Sequence, residues 1–178
     1  MKKTTPEIAL GAILLGSAAL VIRKLLQRPL DTVPYVELEK YLGKWYEIAS
    51  FPQKFQRGCT YTSAHYTLNP DHTISVKNSC IANGEEKIAT GTAKITDKKT
   101  NAKLNVQFQW PFKGKYWILE LAPDYSYAMV GHPNRKYLWI LSRKPWMEMD
   151  VYKKLLMSAD RKGFDISKLR ITPQKSTD

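Results

Sequence analysis

Few side chains in this sequence have the types and spacing that catalysis or metal binding requires. The sequence contains two cysteines, Cys59 and Cys80, and three scattered histidines, His65, His72 and His132. These residues exclude a four-cysteine zinc site, and no His/Cys cluster at metal-ligand spacing replaces it. Acid–base or nucleophilic catalysis would need a Cys, a His or a pair of carboxylates brought to one place. The sequence therefore predicts neither a metal nor a cofactor.

The basic excess of the chain is its second chemical feature. Lys and Arg number 28 against 16 Asp and Glu, which leaves a formal net charge of +12. Such a charge permits an anionic membrane surface or nucleic acid as a partner. However, no run of five or more Lys/Arg occurs, and the aromatic residues are not interleaved with basic residues on one exposed face. Nucleic acid is not expected as a partner.

The N-terminal segment is typical of a signal or a membrane anchor. It begins with basic residues and continues with an apolar run over 8–22, which as a helix is about 22 Å long, short of the roughly 30 Å hydrocarbon core. We interpret residues 1–26 as this segment and favour an uncleaved anchor. It contains no cysteine, so lipidation at a leader cysteine is not expected. Residues 27–34 are predicted as a linker, 35–173 as the globular domain and 174–178 as a tail.

The middle of the chain alternates polar and apolar residues with a period of two, which is typical of short β-strands. Eight such segments are separated by turn residues, at 43–50, 59–68, 73–79, 87–95, 102–110, 115–121, 126–131 and 136–142. No helical pattern lies between them, so the economical topology is an antiparallel up-and-down sheet. Eight strands of this kind can close into a barrel.

Beyond Pro145 the hydrophobic period changes to that of an α-helix. Apolar residues from Val151 to Ala159 fall on one helical face, and Gly163 is a candidate C-cap. The strand over residues 136–142 is apolar on both faces. We therefore expect the helix to pack outside the barrel and to cover that strand.

Motifs in these elements carry a resemblance to a known family. They occur at residues 43–49 (GKWYEIA), 55–59 (FQRGC), 124–130 (DYSYAMV) and 137–145 (YLWILSRKP). Together they resemble the lipocalin family, in its bacterial lipocalin and apolipoprotein D-like branch. The resemblance implies an all-β fold, an eight-stranded antiparallel up-and-down β-barrel with a C-terminal α-helix packed outside, here preceded by the N-terminal hydrophobic helix. It also implies structural roles for Gly43, Trp45, Asp124, Tyr125 and Arg143, with the Arg143 guanidinium across the Trp45 indole at the closed end.

Alternation along each strand divides the side chains between the interior and the exterior of such a barrel. The predicted ligand-binding lining is Ala64, Tyr66, Val76, Asn78, Val106, Phe108, Tyr116, Tyr137 and Trp139. On the sixth strand, Trp117 and Leu119 fit the pattern almost as well as Tyr116 and Ile118. A solid core is the alternative, but small residues interspersed with large ones favour an elongated apolar pocket.

The two cysteines lie near the outer ends of the second and third strands. A disulfide between them would fit an extracytoplasmic domain, and two free thiols are the alternative. In a regular register Cys80 faces Thr62, which is too far from Cys59 for a disulfide unless the strand is kinked. A bulge at Gly58 would supply that kink.

The resemblance and the lining predict binding, storage or transport of a small lipophilic ligand, such as a fatty acid or a lysophospholipid, at the cell envelope. The protein would be membrane-anchored or exported to the periplasmic or outer-membrane side, with the membrane as a partner of the N-terminal segment. The alternative is a lipocalin-fold enzyme that acts on a lipid or isoprenoid. Glu47 shares the inward parity of Trp45, where it serves either a hydrogen bond within the protein or ligand recognition. It stands alone and His65 faces outward, so no enzyme is expected.

Overall fold

Eight antiparallel strands close into a barrel in the computed structural model, which describes residues 29–109 and 112–175. The strands are β1 (Gly43–Ser50), β2 (Thr60–Leu68), β3 (Ile74–Ala82), β4 (Glu85–Ile95), β5 (Lys103–Gln109), β6 (Phe112–Leu121), β7 (Tyr127–Gly131) and β8 (Leu138–Ser142). Each strand pairs with the next, and β1 pairs with both β2 and β8, which closes the barrel. The predicted fold class is confirmed. The predicted signal or anchor segment lies outside the described residues.

The two ends of the barrel differ. The loops at 51–59, 83–84 and 132–137 surround the open end. At the other end the chain before β1 forms the short helix α1 (Leu38–Tyr41) and packs into the barrel. There Val36 and Tyr41 are buried among the apolar side chains of the barrel interior, which we call the interior cluster. The backbone N–H of Val36 donates to the carbonyl of Thr100, which fixes this plug to the β4–β5 loop. The second end is therefore closed.

The longest helix of the described residues, α2 (Met149–Arg161), packs outside the barrel. Its Leu155 and Ala159 lie in an outer cluster with Leu138 and Ile140 of β8, so the helix covers the outer face of that strand as its two-sided apolar pattern predicts. After the helix, the Phe164 N–H donates to the Ala159 carbonyl. That bond, across the turn at Gly163, ends the helix as a Schellman motif.

The C-terminal segment contributes an element that the sequence patterns did not predict. A short strand, β9 (Arg170–Ile171), pairs with the second half of β1, where β1 has left β2. Beyond it the Tyr61 N–H donates to the Pro173 carbonyl at 2.8 Å. The Gln174 side chain donates to the carbonyls of both Glu47 and Thr62. The C-terminal segment thus connects β1 to β2 at the open end, where these two strands no longer pair with each other.

The stretch predicted as a linker also packs on the domain. Leu30 is buried in the outer cluster, and the Val33 N–H donates to the carbonyl of Ile118 in β6 at 3.0 Å. None of the helices within the described ranges has the length and apolar character needed to cross a membrane.

Candidate functional site

Three tyrosines form the bottom of the barrel interior, and we call Tyr41, Tyr66 and Tyr116 the tyrosine floor. The hydroxyl of Tyr116 is hydrogen-bonded to those of Tyr41, at 2.7 Å, and Tyr66, at 3.0 Å. Burial raises the pKa of Tyr66 to about 12, and it raises the pKa of Tyr41 and of Tyr116 well above the ordinary value. All three phenols are therefore neutral at physiological pH, and they present rings and paired hydroxyls to the space above.

The space left within the closed end is small. The cavity between the floor, α1 and the apolar side chains of β3 to β6 has a volume of about 10 Å³. Such a volume admits about one water molecule and no acyl chain. The closed half of the barrel is therefore packed, and any ligand must lie above the tyrosine floor.

On β4, β5, β6 and β8, side chains that face the interior become more exposed toward the open end, whereas Cys80 and Ala82 at the open end of β3 stay buried. Tyr66 and Val76 of the lower half are buried, at 7% and 3% exposure. Higher up, Ala64, Asn78 and Trp139 are half-buried although the strand register turns them inward. An inward side chain can reach solvent only through a space inside the barrel. These exposures indicate that the interior above the tyrosine floor is accessible from the mouth, and we call this space the cone.

The remaining predicted lining residues follow the same gradient. Val106 and Tyr116 pack against the interior cluster and are half-buried, while Phe108 and Tyr137 are exposed near the mouth. The Tyr137 ring stacks on that of Trp139, with centroids 6.2 Å apart. On β6 the interior cluster contains Tyr116 and Ile118, and the outer cluster contains Trp117 and Leu119. All nine predicted lining residues thus belong to one inner wall that extends from the floor to the mouth.

Gly91 is part of this wall because a larger residue would not fit. A Cβ atom at this position would lie 2.7 Å from the Gln107 carbonyl oxygen and 2.8 Å from the Phe108 ring. The glycine lets the Phe108 ring lie against the β4 backbone. This contact is at the position that pairs with Val76 of β3. An aromatic ring therefore lies against the inner wall near the mouth.

The closed end is held by the motif residues. The Arg143 guanidinium lies 3.8 Å from the centroid of the Trp45 ring and donates to the carbonyls of Lys40 and Lys44 at 2.6 and 2.8 Å. The Trp45 indole N–H donates to the Tyr41 carbonyl at 2.8 Å. Burial lowers the pKa of Arg143, but its ordinary value is so high that the group stays charged. These contacts join β8, β1 and α1 and leave no donor directed at the interior.

The other motif residues shape the loops around this contact. Gly43 begins β1 at a φ of +87°, 3.5 Å from an Arg143 nitrogen as measured from the position of its missing Cβ. Asp124 accepts hydrogen bonds from the N–H and the hydroxyl of Ser126, and these bonds lower its pKa. The Tyr125 hydroxyl accepts from the Glu37 N–H at 2.9 Å, which connects the β6–β7 loop to the plug.

Glu47 is buried, and its carboxylate is fully engaged by the protein. It accepts hydrogen bonds from the hydroxyls of Ser50, at 2.8 Å, and Thr172, at 2.6 Å, and from the Gln56 amide at 2.9 Å. The carboxylate therefore connects β1, the β1–β2 loop and the C-terminal segment. The side-chain amide of Gln53 in the same loop is buried without a hydrogen-bond partner in the described residues. Sequence patterns gave no indication of this cluster, because Thr172 is 125 positions away from Glu47 in the sequence.

Cys59 and Cys80 form a disulfide, with their Cα atoms 5.5 Å apart. The irregularity that allows it lies between Thr60 and Ser63, where Tyr61 has a φ of +54°. The proposed bulge at Gly58 was therefore wrong in position, because the extra residue is accommodated inside β2. Cys80 lies on the inner face of β3, so the disulfide attaches the β1–β2 loop to the inner wall beside the mouth.

The described residues contain no group of three or more His, Cys, Asp and Glu side chains that could hold a metal ion. His65 is exposed on the outer face of β2. His132 lies beside the Tyr137 ring, and burial lowers its pKa.

A barrel with one plugged end and an apolar interior accessible from the mouth defines a small-molecule-binding β-barrel. The family model described as a lipocalin-like domain matches residues 36–174, and the chain belongs to the lipocalin family. Lipocalins are generally binding proteins for small hydrophobic ligands rather than enzymes. The chain is similar to temperature-induced lipocalin-1 of Arabidopsis thaliana, with 45% identity over 85% of this chain and 86% of the relative.

Two further similarities agree with this assignment. The outer membrane lipoprotein Blc of Escherichia coli (strain K12) is 39% identical over 79% of this chain and 81% of its own, which confirms the predicted resemblance to bacterial lipocalins. Insecticyanin from the tobacco hornworm Manduca sexta has the same fold, with a TM-score of 0.68, 23% identity and coverage of 84% of this chain and 86% of its own.

Proposed function

We propose that this lipocalin binds one small lipophilic ligand, a fatty acid, a lysophospholipid or a similar lipid, in the open half of its barrel and stores or transports it. The observation that carries the proposal is the exposure gradient along the inner wall. Tyr66 and Val76 are buried, while Ala64 and Trp139 on the same wall reach solvent. The accessible part of the wall lies above the buried tyrosine floor.

The chemistry of this wall suits a hydrocarbon chain. Between the floor and the mouth its side chains are mostly apolar or aromatic, with Val106, Phe108 and Trp139 as the larger ones. Each methylene removed from water contributes about 0.8 kcal/mol. A long chain therefore binds in the micromolar range or tighter with few polar contacts.

We also propose that the protein is not an enzyme. Its inward carboxylate, Glu47, accepts three hydrogen bonds from protein groups, and both cysteines are in the disulfide. None of these groups is available as a nucleophile or a general base inside the cone. Binding without chemistry is therefore the function that the interior supports best.

The proposed location is the cell envelope, with the membrane contacted through the N-terminal segment. Relatives in Escherichia coli and Vibrio cholerae are named outer membrane lipoproteins. The apolar run over residues 8–22 between basic residues supports an anchor or an export signal.

Titration of the purified full-length protein with palmitate, followed by tryptophan fluorescence, tests the proposal. We expect saturable binding that weakens about tenfold in Trp139→Ala, because the variant removes a large part of the apolar wall. Trp146→Ala is the matched control, because Trp146 is 47% exposed and lies beyond β8, outside the barrel. An absence of saturable binding by a folded protein, or equal weakening in both variants, would contradict binding in the cone.

A further inference from the structure

One lysine lies on the inner wall of the barrel at the mouth. In the β3–β4 register Val76 pairs with Gly91, Asn78 with Ala89 and Cys80 with Lys87. Val76 and Cys80 are buried on the inner face of β3, so their pairing partners on β4 also face inward. Lys87 is therefore at the upper edge of the same wall that carries the apolar side chains.

Charged residues are rare at inward positions. On the described strands they occur at Glu47, Glu85 and Lys87. The carboxylate of Glu47 is engaged by three protein donors, and Glu85 is at the hairpin end of β4, farther from the cone than Lys87. Lys87 is exposed, and within the described part of the chain it forms no ion pair. Its ammonium group is thus available to a molecule in the mouth.

Asn78 supplies a second polar group at the same height. It is half-buried on the inner face of β3, and its side-chain amide makes no hydrogen bond to any described residue. Asn78 and Lys87 are diagonal neighbours across the β3–β4 pair, roughly 7 Å apart. A flexible lysine side chain spans that separation, so one small group can accept hydrogen bonds from both.

The surroundings of the mouth add to the positive charge. In the loops at 51–59, 83–84 and 132–137 and at the adjoining described ends of β4 and β6, the basic residues are Lys54, Arg57, Lys87, Lys113, Arg135 and Lys136, and the acidic residues are Glu85 and Glu86. A rim of one predominant sign around a cavity with apolar walls attracts ligands of the opposite charge. The rim therefore favours the entry of anions over cations.

We propose that Lys87 and Asn78 form a head-group site that selects lipids with an anionic head, a carboxylate or a phosphate. This inference rests on the proposed function, because the acyl chain must occupy the cone below. Along β4 the distance from Ala93, near the floor, to Lys87 is about 20 Å. A single-chain lipid enters with its hydrocarbon chain leading, so the end of the chain lies toward the tyrosine floor. Its head group then accepts hydrogen bonds from the Lys87 ammonium and the Asn78 amide.

The test compares two probes with the same chain, palmitate and 1-hexadecanol, on the full-length protein at low and high salt. Lys87→Gln removes the charge from the inner wall, Lys87→Arg keeps it, and Lys77→Gln removes an exposed charge from the outer face of β3. In Lys87→Gln we expect palmitate to bind about three- to tenfold more weakly and hexadecanol to bind as before. Lys77→Gln and Lys87→Arg should bind palmitate within about twofold of the parent protein. High salt should weaken palmitate binding selectively.

The outcomes separate this inference from the proposed function. If neither probe binds saturably, the proposed function fails and the head-group site fails with it. If both probes bind with equal affinity in the parent protein, or if Lys77→Gln weakens palmitate as much as Lys87→Gln does, the cone binds lipid but the head-group site is overturned. Weakening of both probes in Lys87→Gln would also overturn it, because loss of the charge should not affect the alcohol.

Discussion

A fatty acid whose hydrocarbon chain leads into the barrel reaches the tyrosine floor with its methyl end. The floor should therefore set the chain length beyond which further methylenes no longer increase the affinity. Below the floor the cavity is about 10 Å³, too small for a methylene group to enter. Shortening one of the three tyrosines should therefore extend the accepted chain length. Tyr116 is the best choice, because its hydroxyl pairs with those of both Tyr41 and Tyr66 and its half-buried ring faces the cone.

The expected magnitude follows from the volume of the removed ring. Tyr116→Ala opens roughly 100 Å³ of apolar space, comparable with engineered cavities that take up small apolar molecules. That space holds about three methylenes, at about 0.8 kcal/mol each. The longest chain should then gain about 2.4 kcal/mol, roughly fiftyfold in affinity, over its affinity for the parent protein. The variant should lose about 3 kcal/mol of stability, as large-to-small core substitutions do.

A series of saturated fatty acids that lengthen by two carbons at a time measures the effect. In the parent protein affinity should rise with chain length and then reach a plateau. In Tyr116→Ala the plateau should begin at a longer chain, and isothermal calorimetry gives both curves without relying on tryptophan. Urea unfolding of each variant shows whether it is folded under the binding conditions.

Tyr116→Phe is the matched control for this substitution. It keeps the ring and removes the hydroxyl, so it should cost about 1–2 kcal/mol of stability and leave the plateau where it is. If Tyr116→Ala, shown to be folded, has the same plateau as the parent protein, the chain does not reach the floor. If Tyr116→Phe shifts the plateau as much as Tyr116→Ala does, the hydroxyl network and not the ring volume limits the chain, and the reasoning is refuted.

Three further predictions concern the stability of the barrel. The Cys59–Cys80 disulfide closes a loop with a sequence separation of 21, so reduction should lower the free energy of unfolding by about 3 kcal/mol, and a Cys59→Ser/Cys80→Ser variant should not respond to reductant in urea unfolding. Arg143→Met should cost about 2 kcal/mol through the lost contact with Trp45 and two carbonyls, whereas Lys144→Met, on the neighbouring exposed residue, should cost little; equal losses would contradict the Trp45 contact. The pKa of Tyr66 is raised to about 12 in the folded protein, so the folded state keeps a proton that the unfolded chain loses near pH 10. The free energy of unfolding should stay constant up to about pH 10 and fall between about pH 10 and 12. Phenolate absorbance that rises at a lower pH in the folded protein than in the unfolded protein would contradict this.

The fold could be predicted from the sequence because its signals are local. Alternation with a period of two places side chains on one face of a strand, and the strand order follows from short turns. The same rule turned Tyr66, Val76 and Trp139 toward the interior without knowledge of the register. It left the sixth strand ambiguous, because Tyr116, Trp117, Ile118 and Leu119 are all apolar or aromatic. The register with β5 and β7, and the helix outside, decide which of them face inward.

The features that the sequence patterns did not predict depend mostly on contacts between segments that are far apart in sequence. The Glu47 cluster joins residues 125 positions apart through its bond with Thr172, and no periodicity in either segment indicates that pair. β9 is two residues long, too short to show alternation. The position of the bulge in β2 was also not predictable, because inside that strand the positive φ is adopted by Tyr61, a residue type that rarely adopts it.

The two ends of the barrel contribute differently to ligand binding: the apolar interior provides affinity, and the mouth provides selectivity. At the closed end, the polar side chains of Arg143, Trp45 and the tyrosine floor bond to the protein itself, so this end can recognise a ligand only through its shape and length. At the mouth, Lys87 and Asn78 keep their hydrogen-bonding capacity for a ligand. Chain burial contributes to affinity for every lipid that fits, whatever its head group. Discrimination between lipids of equal length must therefore arise at the mouth, where exposed side chains can be exchanged without disturbing the packed floor or the fold.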